Sequence, residues 1–338
     1  MSEGFANKHI VFRSPGVCAV EVCDRPVPGA NEVQIQTEYS LISTGTELTQ
    51  LYAAADADSS WQPLLTYPLL PGYSNVGRVR AVGVGVDASM IGQRVVSLGR
   101  HAQTVCRSVF EVVPVPESVS AEEAVFAVIA QIAMGGVRFS RIRLGETVAV
   151  FGAGLIGQLA TRLARLSGAG SVFVWDHSSL RLRLLPDDSG VYPSTEDPVA
   201  AGAFIRRMNH GRAADLVFDA TGDPARIAAE VDALEEHGRL VILSSPRGRS
   251  ALDLNMVNLR GLSIIGAHNA TVHMPPGVPG EPFTLRRDLQ DFLERLADHT
   301  LSVASLITHR FPADRAPEAY RRLAENRREA LGVLLDWR

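Results

Sequence analysis

The chain has 338 residues, of which 46% are hydrophobic and 21% are charged, and its formal net charge is −4. This composition is typical of a globular protein with a sizeable core, and it excludes an intrinsically disordered chain. A negative net charge argues against a nucleic-acid partner, and no apolar run reaches the roughly 20 residues that a membrane-spanning helix needs. Three cysteines are too few for a disulfide framework or a four-cysteine zinc site, so we expect a cytoplasmic protein without membrane contact.

Residues 10 to about 116 are predicted to be rich in β-strands. Alternating and β-branched patterns, separated by Pro and Gly clusters, indicate a small barrel or sandwich, with strands at 33–43, 77–86 and 93–98. Residues 112–120 are predicted to form a connector. Ser120 is expected to cap a helix that carries two acidic residues in its first turn.

From residue 147 the pattern changes to alternating strands and helices, which indicates a doubly wound parallel sheet. Predicted helices cover 155–169 and 288–299, and another follows Pro224. The predicted strands are 148–153, 171–176, a short one near Val191, 215–222, 239–245 and 262–267. The apolar segment GVLLDW near the C-terminus is predicted to be a further strand.

A GxGxxG motif, formed by Gly152, Gly154 and Gly157, directly follows a predicted strand and opens a predicted helix. In this context the first glycine allows a tight turn, the second lets the backbone approach a pyrophosphate, and the third lets helix and strand pack closely. Leu155 and Ile156 lie at the helix N-terminus, where free N–H groups bind phosphates. The motif therefore predicts a dinucleotide site.

Asp176 ends the second strand of this unit, 19 residues after Gly157. A carboxylate there accepts hydrogen bonds from ribose hydroxyls and repels a 2′-phosphate, which favours NAD(H) over NADP(H). NADP(H) stays possible because Arg181 would pair with a 2′-phosphate, and Asp176 would alternatively cap the helix that begins near Ser178.

These features resemble the medium-chain dehydrogenase/reductase superfamily, the alcohol-dehydrogenase-like proteins. The resemblance rests on LGETVAVFGAGLIGQLA, the acidic residue after it and the closing LITHRFPADRAPEAYRRL. It implies a GroES-like catalytic domain at 1–124 and 269–338, and a Rossmann domain at 125–268. It also implies a homodimer or homotetramer. The segments ISTGTE (42–47), PGY (71–73), ITHR and LDW are most similar to the bacteriochlorophyllide dehydrogenase-like subgroup.

Many members of this superfamily bind a catalytic zinc ion, and the resemblance locates the positions of its ligands. Thr44 stands in place of the ligand cysteine, Tyr73 and Ser74 replace the His-Glu pair, and Ala127 replaces the third ligand. These side chains do not form the Cys, His and carboxylate set that zinc needs. A member without zinc is therefore expected.

Without zinc, side chains must exchange the proton of the substrate hydroxyl. Thr46 matches the superfamily's relay hydroxyl, and the Tyr73 phenol is expected either to donate to the substrate oxygen or to fill the vacated metal space. Glu47 would act as a base or, as the interpretation we favour, anchor the loop. His101 and His268 titrate in a useful range, although a structural or surface role fits each of them equally well.

Further cofactor contacts are expected from polar residues near the carboxyl ends of the strands. Gln131 matches a position near the nicotinamide carboxamide in the superfamily. The other predicted contacts are Thr221, Ser244, Ser245 and the backbone of Ala267.

Three functions are compatible with these patterns. The first is a zinc-independent NAD(H)-linked enzyme that interconverts a secondary alcohol and a ketone on a sugar, an aminosugar or a cyclitol. The polarity of Glu47, Tyr73, Asn75 and Arg100, and of a Pro/Gly loop at 269–283, favours such a small, hydroxylated substrate. The second is an NADPH-dependent enoyl or quinone reductase, and the third is a nucleotide-binding partner subunit without turnover.

Overall fold

A computed structural model describes residues 6–268 and 283–338, and within these residues the chain forms two compact units. The first unit contains residues 6–54, 61–131 and 283–338, and the second contains 55–60 and 132–268. Residues 269–282 lie outside the described residues. They include all of the predicted loop at 269–283 except Phe283, and the start of the predicted catalytic-domain segment 269–338.

The first unit is rich in β-structure because its strands alternate apolar and polar residues. Its strands are β1 (Ala6–Ser14), β2 (Val17–Asp24), β3 (Glu32–Leu41), β4 (Asn75–Val82), β5 (Arg94–Ser97), β6 (Thr104–Ser108), β7 (Val112–Pro114), β14 (Ile307–Pro312) and β15 (Gly332–Asp336). β1 and β2 form an antiparallel hairpin. The others form one sheet in the order β14-β15-β3-β4-β5-β7, with β6 also paired to β3.

Two sequence predictions for this unit are corrected by the structure. Residues 112–114 are not a connector, since Val112–Pro114 pairs with β5 and completes the sheet edge. The predicted strand at 77–86 starts earlier and ends at Val82, because Gly85 adopts a left-handed φ of 88° in the turn that follows. The alternating apolar residues extended the predicted strand into this turn.

The second unit contains a six-stranded sheet in which every described pairing is parallel. Its strands are β8 (Thr147–Phe151), β9 (Ser171–Trp175), β10 (Val191–Ser194), β11 (Ala214–Asp219), β12 (Leu234–Ile242) and β13 (Ser263–Gly266). Their order is β10-β9-β8-β11-β12-β13, the doubly wound Rossmann order. The predicted α/β fold, a β-rich domain plus a Rossmann domain, is thus confirmed.

The helices connect these strands and cover their apolar faces. They are Thr44–Tyr52, Ala121–Ala124, Ala127–Ser140, Leu155–Leu166, Ser179–Arg183, Ala201–Met208, Ile227–Asp232, Leu254–Leu259, Leu285–Ala297 and Ala316–Glu325. Ser120 caps its helix through the N–H of Glu123, as predicted. Over the two described stretches, no helix is both long and apolar enough to cross a membrane.

Candidate active site

The glycine motif occupies the turn between β8 and the helix Leu155–Leu166 at the centre of the parallel sheet. Gly152 has a φ of 92°, and a Cβ at this position would lie 2.9 Å from the carbonyl oxygen of Ala220. A Cβ on Gly157 would lie 1.7 Å from the carbonyl oxygen of Gly152, so only glycine lets helix and turn approach this closely. A Cβ on Gly154 would meet nothing within 4 Å. The turn is therefore tightly packed at Gly152 and Gly157, whereas the Cβ position of Gly154 faces open space.

The first turn of this helix provides the N–H groups that a phosphate binds. Gly154 is the N-cap and has no side chain to accept from the first-turn N–H groups, and Leu155 and Ile156 begin the helix. An uncapped N-terminus facing open space is suited to an anionic pyrophosphate. The residues present thus fit a dinucleotide.

Asp176 follows β9 and connects two loops. One of its carboxylate oxygens accepts a hydrogen bond from the N–H of Ala153 at 2.8 Å, and the other accepts from the N–H of Ser178 at 2.7 Å. Arg181 lies 3.6 Å from the same carboxylate. Ser178 is itself the N-cap of the helix Ser179–Arg183. Asp176 therefore positions the glycine turn and has a cation beside it.

Asp219 ends β11 and organises the neighbouring turn. Its Oδ1 accepts from the N–H of Thr221 at 2.9 Å and from the hydroxyl of Thr221 at 2.7 Å, while its Oδ2 accepts from the hydroxyl of Ser244. The N–H groups of Leu243 and Ser244 both donate to the carbonyl of Asp219 at 3.0 Å. The hydroxyls of two predicted cofactor contacts, Thr221 and Ser244, thus depend on one carboxylate.

The remaining predicted cofactor residues, and His268 as a predicted catalytic residue, differ in their surroundings. Ser245 and His268 are exposed, and Ala267 is buried with its N–H bonded to the carbonyl of Ile242. Gln131, in the first unit, is fully buried, and neither atom of its amide has a hydrogen-bond partner within the described chain. An orphaned buried amide requires a polar ligand or water, so its predicted contact with the nicotinamide carboxamide stays open.

In the first unit, the helix Thr44–Tyr52 holds two predicted site residues, Thr46 and Glu47. The Glu47 carboxylate is fully buried and accepts three hydrogen bonds. The donors are the N–H of Ser43 at 2.8 Å, Nε2 of His101 at 2.9 Å and the hydroxyl of Tyr320. Three donors therefore hold this carboxylate in place, while the choice between an anchor and a base stays a prediction.

His101 is the partner that links Glu47 to the C-terminal strand region. Its Nδ1 lies 2.7 Å from the hydroxyl of Ser40, and the oxygen of this hydroxyl accepts from the indole N–H of Trp337 at 2.9 Å. Since a carboxylate only accepts, Nε2 carries a hydrogen toward Glu47. Both ring nitrogens are engaged and the side chain is 0% exposed, so the structure shows His101 as part of this buried network.

Tyr73 lies in a cluster of hydroxyl groups that the first unit presents beside Glu47. Its phenol oxygen lies 2.5 Å from the hydroxyl of Ser43, and Thr46 hydrogen-bonds it as well. Burial raises the pKa of the Tyr73 phenol, the hydrogen bonds from Ser43 and Thr46 lower it, and the charge of Glu47 raises it, with a net upward shift. Tyr73, Ser43 and Thr46 thus form a cluster that holds a proton at neutral pH.

Comparisons with known proteins agree with this architecture. A family model described as zinc-binding dehydrogenase matches residues 156–278. An L-threonine 3-dehydrogenase of Saccharopolyspora erythraea is 26% identical over 96% of this chain and 96% of its own length. A D-guloside 3-dehydrogenase of Escherichia coli K12 is 28% identical over 64% of this chain and 67% of its own.

Among solved structures, an alcohol dehydrogenase of Escherichia coli CFT073 complexed with NADH has a TM-score of 0.83 and 18% identity. The match covers 98% of this chain and 100% of that one. This chain matches the zinc-binding dehydrogenase family over residues 156–278 and is similar over most of its length to alcohol-dehydrogenase-like proteins of the medium-chain dehydrogenase/reductase superfamily. It is therefore an NAD(P)-dependent oxidoreductase of the alcohol-dehydrogenase-like class, as the sequence predicts.

The zinc-ligand positions of the superfamily lie outside residues 156–278 that the family model matches. Thr44 is partly exposed, the hydroxyl of Ser74 donates to the carbonyl of Val125 at 2.6 Å, and Ala127 has no donor atom. Tyr73 is hydrogen-bonded to Ser43, and the Glu47 carboxylate accepts hydrogen bonds from its three donors. Over residues 6–268 and 283–338, no three His, Cys, Asp or Glu side chains are grouped as metal ligands. The residues present do not fit a catalytic zinc ion.

Sequence reasoning missed several residues that shape this dehydrogenase site. Ser43, Ser40, Tyr320 and Trp337 carry no local signal, since Tyr320 and Glu47 are 273 positions apart in the chain and meet only in the fold. Two further acidic residues, Asp219 and Glu230, were missed as well. Asp219 had one available signal, an acidic residue at the end of a buried strand, but Glu230 lies on a helix and had none.

Proposed function

We propose that this protein interconverts a secondary alcohol and a ketone on a polar, hydroxylated substrate, with NAD(H) and without zinc. The observation that carries the proposal is the hydroxyl cluster of Tyr73, Ser43 and Thr46, in which Tyr73 and Thr46 match, by resemblance, a zinc-ligand position and the relay position of the superfamily. The resemblance of ISTGTE and PGY to the bacteriochlorophyllide dehydrogenase-like subgroup involves the same residues, but no substrate is transferred from it.

The Tyr73 phenol is the proposed proton donor and acceptor at the substrate oxygen. Nicotinamide supplies or accepts the hydride when it is bound. Tyr73 gives its proton to the developing alkoxide during ketone reduction and, as phenolate, removes the hydroxyl proton during alcohol oxidation. Ser43 and Thr46 orient the phenol and stabilise its charged form through hydrogen bonds. Glu47 and His101 act as positioning residues through the N–H of Ser43.

NAD(H) is the proposed cofactor because Asp176 follows β9, where an acidic side chain is expected to accept hydrogen bonds from the ribose hydroxyls. Its negative charge opposes a 2′-phosphate, while the nearby Arg181 reduces that opposition. We therefore expect a preference for NADH over NADPH and not an absolute exclusion of NADPH.

A sugar, aminosugar or cyclitol is the proposed substrate class. Support comes from the polar side chains of the first unit and from the similarity to a D-guloside 3-dehydrogenase. The similarity to an L-threonine 3-dehydrogenase makes a small hydroxylated amino acid the alternative substrate, which a substrate screen would distinguish from a sugar or cyclitol.

A titration of the purified chain with NADH and NADPH, followed by a hydride-transfer screen over polyols, ketosugars, L-threonine and enones, tests the proposal. Metal analysis of the same preparation accompanies it, with and without prior exposure to a chelator. We expect binding of NADH, turnover of a polyol or ketosugar, and no activity loss on chelation. Stoichiometric zinc whose removal abolishes turnover, or turnover of enones only, would contradict the proposal.

We also propose a homodimer formed through the edge of the parallel sheet. β13 is the last strand in the sheet order and, among the described strands, pairs only with β12. Ile264 on this strand is 43% exposed, and an open strand edge with an apolar side chain favours pairing with another strand. Light scattering of Ile264→Glu should give a lower mass than that of the wild type.

A further inference from the structure

Two carboxyl groups meet inside the second unit, behind the glycine turn. Asp219 ends β11 and is 1% exposed, and Glu230 lies on the helix Ile227–Asp232 and is 0% exposed. Two acidic groups in contact without solvent cannot both be ionised at modest cost. One of them must hold a proton.

The hydrogen bonds identify which carboxyl is protonated. Asp219 accepts from the N–H and hydroxyl of Thr221 and from the hydroxyl of Ser244, so its charge is stabilised by three donors. Neither oxygen of Glu230 has a donor within the described chain, and the group it faces is Asp219. Glu230 is therefore the protonated member, and its hydroxyl can only be satisfied by donating to Asp219.

The electrostatic surroundings agree with this assignment. Burial, the charge of Asp219 and the hydrogen bond to it, and the charge of Asp223 together raise the pKa of Glu230 to about 9, although Arg226 lowers it. Asp219 ends β11, and Asp223 and Arg226 lie on the turn before the helix of Glu230. Glu230 thus loses its proton in the alkaline range, where a second negative charge would appear beside Asp219.

The residues that follow Asp219 pack directly against the glycine turn. The Thr221 methyl group lies 3.4 Å, and the Ala220 carbonyl oxygen 2.9 Å, from the position that a Cβ on Gly152 would occupy. The N–H of Ala220 also donates to the carbonyl of Phe151, the residue before Gly152, at 2.9 Å. A displacement of the 219–221 turn would therefore reach the backbone that the dinucleotide is proposed to approach.

We infer that Glu230 is a positioning residue for dinucleotide binding: its proton, donated to Asp219, keeps Thr221, Ser244 and the adjoining glycine turn in their binding arrangement. The inference rests on the proposed dinucleotide site and adds a proton-dependent control to it. Loss of this proton places two carboxylates in contact, which disturbs the hydrogen bonds of Asp219 and weakens the site.

The test measures the Kd of NADH by fluorescence for the full chain between pH 7 and pH 10. The variant Glu230→Gln keeps a neutral donor toward Asp219 but cannot ionise, and Glu236→Gln makes the same change at an exposed position of β12. We expect the Kd of the wild type and of Glu236→Gln to rise at least fivefold over this range. The Kd of Glu230→Gln should change less than twofold.

A second readout does not require the cofactor. The midpoint of thermal unfolding, measured from pH 6 to pH 10, should fall between pH 6 and about pH 9 more steeply for the wild type and Glu236→Gln than for Glu230→Gln, because over this range only the folded chain keeps the proton of Glu230. If Glu230→Gln follows the wild type in both measurements, the inference is wrong. If the wild type binds neither NADH nor NADPH at pH 7, the proposed function fails, while the unfolding midpoints still decide where the proton lies.

Discussion

Nε2 of His101 lies 2.9 Å from Oε2 of Glu47, and both side chains are completely excluded from solvent. Tyr320 donates to the same carboxylate oxygen from the helix Ala316–Glu325. The pair therefore connects three segments of the chain that are far apart in sequence. Because three protein donors hold the Glu47 carboxylate, we expect its role to be to position Ser43 and, through Ser43, the phenol of Tyr73.

The variant Tyr320→Phe removes one donor from Glu47 without changing the shape of the core. A hydrogen bond to a buried charged group contributes about 1.5–3 kcal/mol, so we expect a loss of about 2 kcal/mol in the free energy of unfolding. Urea denaturation measures it, with Tyr52→Phe as the control because Tyr52 is 42% exposed. A variant of unchanged stability that has lost its turnover would instead assign Glu47 a role as catalytic base.

The variant Tyr73→Phe removes the proposed proton donor. General acid–base groups contribute about 100-fold to 10,000-fold to rate, so we expect kcat to fall at least 100-fold while the Kd of NADH stays within about twofold. Steady-state kinetics and a fluorescence titration measure the two effects. Full activity in Tyr73→Phe would contradict the proposed proton transfer and show that the ring of Tyr73 only fills space.

The two directions of the reaction should differ in their dependence on pH. The pKa of Tyr73 is raised above its ordinary value by burial, so the phenol is protonated at neutral pH. Ketone reduction uses this form and should have a flat kcat between pH 6 and pH 9 at saturating NADH. Alcohol oxidation uses the phenolate and should become faster as pH rises, with an about tenfold gain in kcat per pH unit. Tyr73→Phe should abolish this slope.

Coenzyme choice depends on the pair formed by Asp176 and Arg181. The variant Asp176→Ser removes the negative charge that opposes a 2′-phosphate and keeps the positive charge of Arg181 nearby. We expect the Kd ratio of NADPH to NADH to fall at least tenfold, which corresponds to about 1.4 kcal/mol. Arg181→Gln should change the ratio in the opposite direction, and the absence of a shift in either variant would contradict the assignment of Asp176.

Local patterns were sufficient to predict the parallel sheet and its glycine turn. β8, the turn at Gly152 and the following helix are contiguous, so periodicity and the glycine spacing specify them without tertiary information. Thr221 and Ser244 follow the ends of β11 and β12 and both bond Asp219, because the ends of parallel strands meet at one edge, but their contact with a cofactor stays a prediction.

The catalytic unit was less predictable because its contacts are long-range. The helix Thr44–Tyr52 begins with two threonines and a glycine, which have low helix propensity, and its position depends on packing in the core with Tyr320. Resemblance to the superfamily indicated Tyr73 and Glu47 as site residues, but not that Ser43, His101 and Tyr320 surround Glu47. The hairpin of β1 and β2 was also hard to predict, because Gly16 is the one clear turn signal in this part of the sequence.

Two glycines of the same motif should respond in different ways to the same substitution. In Gly157→Ala the added Cβ would lie 1.7 Å from the Gly152 carbonyl oxygen, so helix and turn must separate. Overpacking of this kind costs about 1–3 kcal/mol or more. In Gly154→Ala the methyl group meets nothing within 4 Å, and the φ of −67° is accessible to alanine. We expect its free energy of unfolding to change by less than about 1 kcal/mol.

The two variants should also separate binding from folding. The methyl group of Gly154→Ala would project into the open space in which the pyrophosphate is proposed to lie, so the Kd of NADH should rise at least tenfold in a protein of nearly normal stability. Gly157→Ala should lose stability and affinity together. Calorimetric unfolding and NADH titration of both variants measure this difference. Unchanged NADH affinity in Gly154→Ala would show that the pyrophosphate does not approach this turn, because no other described atom limits that methyl group.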